Sequence, residues 1–212
     1  SISHDLKAPL RGITGYSQLL LQEHSSQLDE EGKSFLNKLI FSSDQLNNLI
    51  DDLLAYTRME RRPVNRADFS MKEIVNIVLE ERMMDIKDLK IRIHQQIDDG
   101  IIHNSSPELV TQILRNYLDN AIKFTSERKA PEIWITYTHD EKKGLLNVRD
   151  NGVGFDPKYS EKIFEVFYRL YRIDQYPGTG IGLALVKKAA DLLGDKVWGT
   201  GELKVGASFF LE

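Results

Sequence analysis

The spacing of hydrophobic residues divides the chain into two regions of different periodicity. In the first region, apolar residues recur every three or four positions over residues 1–26 and 30–61, which predicts two amphipathic helices. Because a regular apolar stripe needs a partner helix and two helices cannot enclose a core, we expect two chains to pair as a four-helix bundle. The stripe of the second helix is interrupted once, at Ser42, and consists of Phe35, Leu39, Leu46, Leu49, Leu53 and Tyr56.

From Asp68 onward, shorter helical and alternating segments follow one another. Helical spacing predicts helices near residues 74–79, over 107–124 and over 181–193. Alternation of apolar and polar residues predicts a strand at residues 89–93, and residues 133–137, 145–149, 196–198 and 207–211 are also expected to be strands. Helices on one face of a mixed sheet make this region an α/β sandwich.

The whole chain is therefore predicted to be α+β, with a helical-hairpin domain followed by the sandwich. We expect the hairpin to occupy residues 1–62 and the sandwich residues 67–212, and the charged stretch around Pro63 to be the linker between them. Residues 156–179 show no clean period and are expected to be irregular.

Composition excludes several classes of protein. The 212 residues contain no cysteine, which excludes disulfides and thiolate metal sites and fits a reducing compartment. A net charge of −4 argues against a nucleic-acid-binding protein. No apolar run approaches the roughly 20 residues of a membrane helix, and no segment resembles a signal peptide. These features favour a cytoplasmic location for these residues. Because the chain begins inside a predicted helix, we expect it to be a fragment of a longer protein.

Two glycine-rich clusters have the chemistry of a nucleotide site. In residues 150–155, Asp150 lies where a predicted strand ends, so its carboxylate can accept a hydrogen bond from an exocyclic amine. Gly152 and Gly154 allow the backbone to approach a flat ring closely. Residues 178–183 form a glycine-rich turn that opens a helix, and backbone N–H groups at such a turn suit phosphate oxygens.

The helix predicted over residues 107–124 presents three polar side chains on one face. Asn116, Asn120 and Lys123 are spaced at i, i+4 and i+7. Two amide oxygens and an ammonium group facing a phosphate site can hold Mg²⁺ and neutralise phosphate charge. The alternative is a solvated helix face, which these three residues alone would equally fit.

The first helix carries a candidate nucleophile. A neutral imidazole at His4 can attack a phosphoryl group, and the adjacent carboxylate of Asp5 can take the ring proton or hold the tautomer. Pro9 removes a hydrogen bond to the Asp5 carbonyl and would loosen the helix near His4. The alternative is that the helix simply begins near Pro9.

Taken in order, these motifs resemble the N, G1, F and G2 boxes of sensor histidine kinases, which belong to the GHKL ATPase superfamily. The N box is matched by residues 116–125, the G1 box by 150–155, the F box by 164–167 and the G2 box by 178–183. Residues 3–10 are similar to the H-box of the dimerisation and phosphotransfer domain. The lid resembles, in a few residues only, the lids of phytochrome-like kinases.

The resemblance implies ATP and Mg²⁺ as ligands and a role for each matching residue. It implies that Asp150 binds the adenine amino group, Asn120 ligates Mg²⁺ and Lys123 contacts phosphate. Residues 156–179 would be the ATP lid, anchored by Phe164 and Phe167, with Arg169 or Arg172 reaching the phosphates. The implied nucleotide-contacting residues are Asn116, Asn120, Lys123, Asp150, Gly152, Gly154, Phe167, Arg169, Gly178, Thr179, Gly180, Gly182 and Leu183.

The implied function is autophosphorylation of His4 with ATP, followed by transfer of the phosphoryl group to an aspartate on the receiver domain of a response regulator. The implied assembly is a homodimer formed through the helical hairpin, downstream of a sensor domain that this fragment lacks. Asn116 stands where ATP-hydrolysing relatives carry Glu, which favours phosphotransfer over hydrolysis of ATP. Ala8 stands where many relatives carry Thr or Asn, so we expect weak phosphatase activity. The alternative is a dimeric nucleotide-binding scaffold without kinase activity.

Overall fold

A computed structural model describes residues 2–59, 63–140, 143–172 and 175–212, and the side chains of residues 2–4 lie outside this description. The chain opens with two long helices, α1 (Ile2–Glu23) and α2 (Glu30–Met59), joined through a 3₁₀ turn (Ser25–Gln27). Both helices were predicted. Because α1 runs through Pro9 from Ile2, the alternative that the helix begins near Pro9 is wrong.

The two helices pack as an antiparallel hairpin. Ser43 on α2 is 3% exposed, and its hydroxyl donates a hydrogen bond of 2.9 Å to the Leu10 carbonyl on α1. Small buried residues such as Ser43 and Ser17 let the helices approach closely. Much of the apolar stripe nevertheless stays exposed, which fits the expected pairing with a second hairpin. The exposed residues include Leu6, Ile13, Leu20, Phe35, Leu39, Leu46 and Leu53.

The second region is built on a five-stranded mixed sheet. Its strand order is β2-β4-β5-β7-β6, with β2 parallel to β4 and the other neighbours antiparallel. A separate two-stranded sheet pairs β1 with β3. The strands are β1 (Ala67–Ser70), β2 (Arg92–Ile97), β3 (Ile101–Ser105), β4 (Glu132–His139), β5 (Gly144–Asp150), β6 (Val197–Glu202) and β7 (Gly206–Leu211).

Helices cover one face of this sheet, as predicted for an α/β sandwich. They are α3 (Met71–Glu81), the short α4 (Met83–Asp88), α5 (Pro107–Thr125) and α6 (Gly182–Leu193). The apolar side of α5 is fully buried, and the Tyr117 hydroxyl within it donates to the Phe210 carbonyl at 2.8 Å. This burial leaves the polar side of α5 facing away from the core.

Two details differ from the sequence-based expectations. The strand expected at residues 89–93 begins only at Arg92, because Lys90 has a left-handed backbone (φ 54°) that turns the chain after α4. The strands β1 and β3 and the helix α4 were not predicted, since each is short and has little hydrophobic periodicity. Within the described residues, no helix combines the length and the hydrophobicity that a membrane span requires.

Candidate nucleotide-binding site

A cavity of about 410 Å³ opens between α5, the end of β5, the glycine-rich turn before α6 and one side of α2. It brings together residues that are far apart in sequence and that were predicted to contact a nucleotide. Of the predicted residues, those that line it are Asn116, Asn120, Lys123, Asp150, Gly154, Arg169, Gly178, Thr179, Gly180, Gly182 and Leu183.

Some predicted residues lie outside this lining. Phe167, expected to anchor the lid and to contact nucleotide, is 56% exposed, and its left-handed backbone (φ 66°) accompanies this exposure. Phe164, the other expected anchor, is buried in the core. Gly152 contributes through its backbone N–H rather than as part of the wall. Asp5 is exposed on α1, and the side chain of His4 lies outside the described residues.

Asp150 ends β5 and is 2% exposed. The Gly152 N–H donates to its Oδ1 at 2.7 Å. Burial raises the pKa of Asp150 to about 6, although backbone hydrogen bonds from Gly152 and Ala207 act in the opposite direction. A Cβ on Gly152 would lie 2.5 Å from the Phe124 carbonyl oxygen, so only glycine fits this turn. The carboxylate is therefore held in one orientation and is mostly ionised at neutral pH.

The polar side of α5 forms the opposite end of the cavity. Burial lowers the pKa of Lys123 to about 8, and the nearby charge of Arg169 acts in the same direction. The Asn116 amide donates to the Gln112 carbonyl at 2.8 Å, which leaves its side-chain oxygen as an acceptor. A Cβ on Gly182 would lie 2.8 Å from that oxygen, so Gly182 lets the start of α6 approach α5.

The amide oxygens on the polar side of α5 fit a magnesium ion that is held mainly by phosphate oxygens. Among the described residues, no group of three or more His, Cys, Asp or Glu side chains is placed so that it could hold a metal ion. Mg²⁺ commonly takes one or two protein oxygens and completes its shell with phosphate oxygens and water. The amide oxygens of Asn116 and Asn120 are suitable protein ligands for such an ion.

The glycine-rich turn is held by contacts within the lid. Arg169 donates to the carbonyl oxygens of Gly178 at 2.7 Å and Tyr176 at 2.9 Å. Its guanidinium group therefore holds the glycine-rich turn in place, whereas the resemblance to sensor histidine kinases implied a contact with phosphate. The Phe167 N–H donates to the Gly180 carbonyl at 3.0 Å, and the left-handed backbone of Gly180 (φ 76°) permits this close approach.

Sequence reasoning missed an aromatic group over the cavity. The rings of Phe124, Tyr171 and Tyr176 lie with their centroids 5.2–5.7 Å apart. The Tyr171 hydroxyl donates to the Gly154 carbonyl at 2.5 Å, which connects the lid to the turn after Asp150. The available signal was the position of Phe124 beside Lys123 and the number of tyrosines in the lid.

Sequence reasoning also missed the contribution of α2 to the cavity. Asn48, Asp51 and Asp52 line one side of it, and the Thr179 hydroxyl donates to the Asp52 carboxylate at 2.5 Å. Burial raises the pKa of Asp52. Asp51 forms an ion pair with Lys7 on α1. The helical hairpin and the cavity are thus in direct contact.

Two family models together match most of the chain. The family described as "Histidine kinase-, DNA gyrase B-, and HSP90-like ATPase" matches residues 105–212. The family described as "His Kinase A (phospho-acceptor) domain" matches residues 1–62.

Individual proteins show the same similarity. Cyanobacterial phytochrome A from Nostoc sp. (strain PCC 7120) is 35% identical over 98% of the chain, and the chain spans 27% of that protein's length. The structure of full-length ShkA in complex with AMPPNP superposes with a TM-score of 0.71, at 27% identity over 99% of this chain and 44% of that chain.

The structure of histidine kinase ThkA in complex with the response regulator TrrA has a TM-score of 0.69. At 22% identity, over 99% of this chain and 58% of that one, it shows a shared fold. The two family matches follow the division of the chain into the helical hairpin and the α/β sandwich. The chain belongs to the sensor histidine kinase family and comprises its phospho-acceptor and ATPase regions.

Proposed function

We propose that this chain is the catalytic core of a protein-histidine kinase that transfers the γ-phosphoryl group of ATP to His4. The domain boundaries proposed with this function are residues 1–62 for dimerisation and phosphotransfer and residues 67–212 for ATP binding. The proposal rests on the joint presence of a nucleotide-type cavity and a histidine-bearing helix.

The observation that carries the proposal is the contact between the hairpin and the cavity. Asp51 lines the cavity and pairs with Lys7, which lies three residues after His4 on α1. Three residues are about one helical turn, or roughly 5 Å along the axis. The segment that carries the proposed acceptor is therefore close to the end of the cavity that carries Thr179.

In the proposed reaction, the residues of the chain bind both ends of ATP and supply the nucleophile. Asp150 accepts a hydrogen bond from the adenine amino group, and Lys123 neutralises phosphate oxygens. Mg²⁺, held by Asn120 with support from Asn116, would offset the charge that develops on the phosphates. A ring nitrogen of His4 forms the new N–P bond while the bond to the leaving ADP breaks, and Asp5 accepts the ring proton.

We further propose that the phosphoryl group passes from His4 to an aspartate on a response regulator. The structure of ThkA with TrrA supports this partner class for a protein of the same fold. The proposed working unit is a dimer formed through the exposed apolar stripe of the hairpin. The match of residues 1–62 to the phospho-acceptor domain supports both statements.

The test is incubation with Mg²⁺ and γ-labelled ATP, comparing the wild type with His4→Gln. His24→Gln is the matched control, because His24 lies on the same hairpin at the far end of α1. We expect acid-labile, alkali-stable label on the wild type and the control, and none on His4→Gln. Label that persists on His4→Gln would refute the assignment of the acceptor. Bound AMPPNP without any label would favour the nucleotide-binding scaffold.

A further inference from the structure

Arg128, which neither the motifs nor the cavity lining includes, joins three segments behind the adenine end of the cavity. It lies in the turn between α5 and β4, and its backbone N–H donates to the Thr125 carbonyl at 2.8 Å. Its Nη2 donates to the Gly152 carbonyl at 2.7 Å and also to the Lys204 carbonyl. Through its backbone and its guanidinium group together, Arg128 connects the end of α5, the glycine turn and the tip of the β6–β7 hairpin.

One of the two carbonyl groups that accept hydrogen bonds from Arg128, that of Gly152, belongs to the backbone segment that orients Asp150. The Gly152 N–H donates to the Asp150 carboxylate, and the Gly152 carbonyl accepts a hydrogen bond from Arg128. The position of Arg128 therefore affects the orientation of the Asp150 carboxylate through a single residue. Lys204 donates its own N–H to the Val153 carbonyl at 2.7 Å, and Val153 donates to the Phe124 carbonyl at 3.2 Å. The turn after β5 is therefore held on both sides.

The charge of Arg128 also acts on the carboxylate. Arg128 and Arg149 are the charged groups that favour the ionised form of Asp150 and lower its pKa against the effect of burial. Arg149 is exposed on the other face of the sheet, where its guanidinium lies 5.1 Å from the Trp134 ring centroid. Of these two groups, only Arg128 also holds the turn.

A purely stabilising role accounts poorly for this arginine. Its Nε is buried and has no hydrogen-bond partner among the residues that the structure describes. A buried N–H without a partner is unfavourable, and it offsets part of the stability that the hydrogen bonds to the Gly152 and Lys204 carbonyls contribute. A role in orienting the Asp150 carboxylate gives the cation a function that an apolar side chain could not supply.

We propose that Arg128 is a positioning residue for adenine recognition, which orients the Asp150 carboxylate through the Gly152 backbone. The inference rests on the proposed function, because it assumes that Asp150 binds the adenine of ATP. It extends the site to a residue that contacts the nucleotide only through Asp150. Loss of Arg128 is therefore expected to change the base preference and the pH dependence of binding together.

The experiment measures AMPPNP affinity by calorimetry from pH 5 to pH 9, for the wild type and for Arg128→Met, Arg128→Lys and Lys129→Met. Lys129 is the matched control, because it is the adjacent cation and its side chain is exposed. We expect wild-type affinity to fall as the pH drops through about 6. For Arg128→Met we expect about tenfold weaker binding than the wild type at pH 7, with the pH midpoint of binding moved upward. At pH 8.5 the difference from the wild type should be smaller, because loss of the Lys123 charge affects both proteins alike.

The remaining variants separate orientation from charge. Arg128→Lys is expected to keep the wild-type midpoint but to bind AMPPNP a few-fold more weakly, because an ammonium group lacks the planar fork. Lys129→Met is expected to match the wild type. A second readout is the ratio of AMPPNP to GMPPNP affinity, which we expect to fall in Arg128→Met, since a misdirected carboxylate no longer selects an exocyclic amine.

Two results would overturn the inference about Arg128 but leave the proposed function standing. One is an Arg128→Met variant with wild-type affinity and midpoint, and the other is an equal loss of affinity at every pH with unchanged base preference. Wild-type protein that binds no AMPPNP at any pH would instead refute the proposed function as well. Circular dichroism of each variant shows whether a loss reflects unfolding, and Arg128→Lys keeps the test available if Arg128→Met does not fold.

Discussion

Replacing Asp150 with asparagine should stabilise the nucleotide-free protein while weakening nucleotide binding. Burial raises the pKa of Asp150 from 3.8 to about 6. Each pKa unit corresponds to about 1.4 kcal/mol, so keeping this carboxylate ionised at neutral pH costs the folded state about 3 kcal/mol. An amide of the same shape avoids most of that cost and can still accept the Gly152 N–H.

The pH dependence of stability follows from the direction in which folding shifts the pKa of Asp150. Because the folded-state pKa is raised, the folded protein binds more protons than the unfolded chain between pH 3.8 and about 6. Wild-type stability therefore falls as the pH rises through that window. The advantage of Asp150→Asn should be absent below it and complete above it.

Thermal unfolding of the nucleotide-free protein at pH 7.5 and at pH 4 measures this effect. We expect a gain of about 2 kcal/mol at pH 7.5, which corresponds to roughly 4–8 °C in Tm for a chain of this size. AMPPNP affinity should fall about 10- to 150-fold, as expected for the loss of a charge-assisted hydrogen bond. Asp156→Asn is the control, because Asp156 is close in sequence but not buried, and burial is not the main influence on its pKa.

Two outcomes would refute this reasoning. If Asp150→Asn were no more stable than the wild type at pH 7.5, the cost of the buried charge would be wrong. If the stability gain did not shrink at pH 4, its cause would not be ionisation. Unchanged AMPPNP affinity in a folded Asp150→Asn variant would contradict the role of this carboxylate in adenine binding.

Three further predictions test other parts of the site. Asp52→Asn removes a negative charge from the Thr179 side of the cavity, and calorimetry should show AMPPNP affinity raised about threefold; a fall would contradict the expected repulsion. Tyr171→Phe loses the hydrogen bond to Gly154, worth about 1 kcal/mol, so a fluorescent nucleotide should dissociate about fivefold faster in stopped flow, and an unchanged rate would show that this bond does not hold the lid. Gly154→Ala should destabilise the protein, because Gly154 has a φ of 65° and a Cβ at this position would lie 1.9 Å from the Glu202 carbonyl oxygen. Urea unfolding should show a loss of at least about 2 kcal/mol, and a smaller loss would mean that this turn relaxes easily.

The elements with a strong period were predictable from sequence. The regular spacing in α2 and the alternation in β4 and β5 identified those elements to within a few residues. The pairing of β1 with β3 was not predictable, because each strand is too short to show a period and is defined by its partner. Lys90 illustrates the same limit, since its left-handed backbone excludes the first residues of an alternating segment from the strand that follows.

The candidate site was predictable where one segment carries both the chemistry and the orientation. Asn116, Asn120 and Lys123 share a helix face by spacing alone, and all three line the cavity. Arg169 was less predictable, because the direction of a long side chain in an irregular segment depends on which carbonyl groups lie nearby. The structure directs it to Gly178 and Tyr176.

The sequence by itself therefore determined the two-region organisation, the helical hairpin, the α/β sandwich and the identity of the polar residues that α5 and the two glycine-rich segments contribute to the cavity. These features follow from short-range periodicity and from motifs whose residues are close together along the chain. Only the tertiary structure decided that Asp52 of the hairpin meets Thr179 and that Arg128 holds the turn after Asp150. Such contacts join residues 127 and 24 positions apart, so they depend on how whole elements pack, which no local pattern encodes.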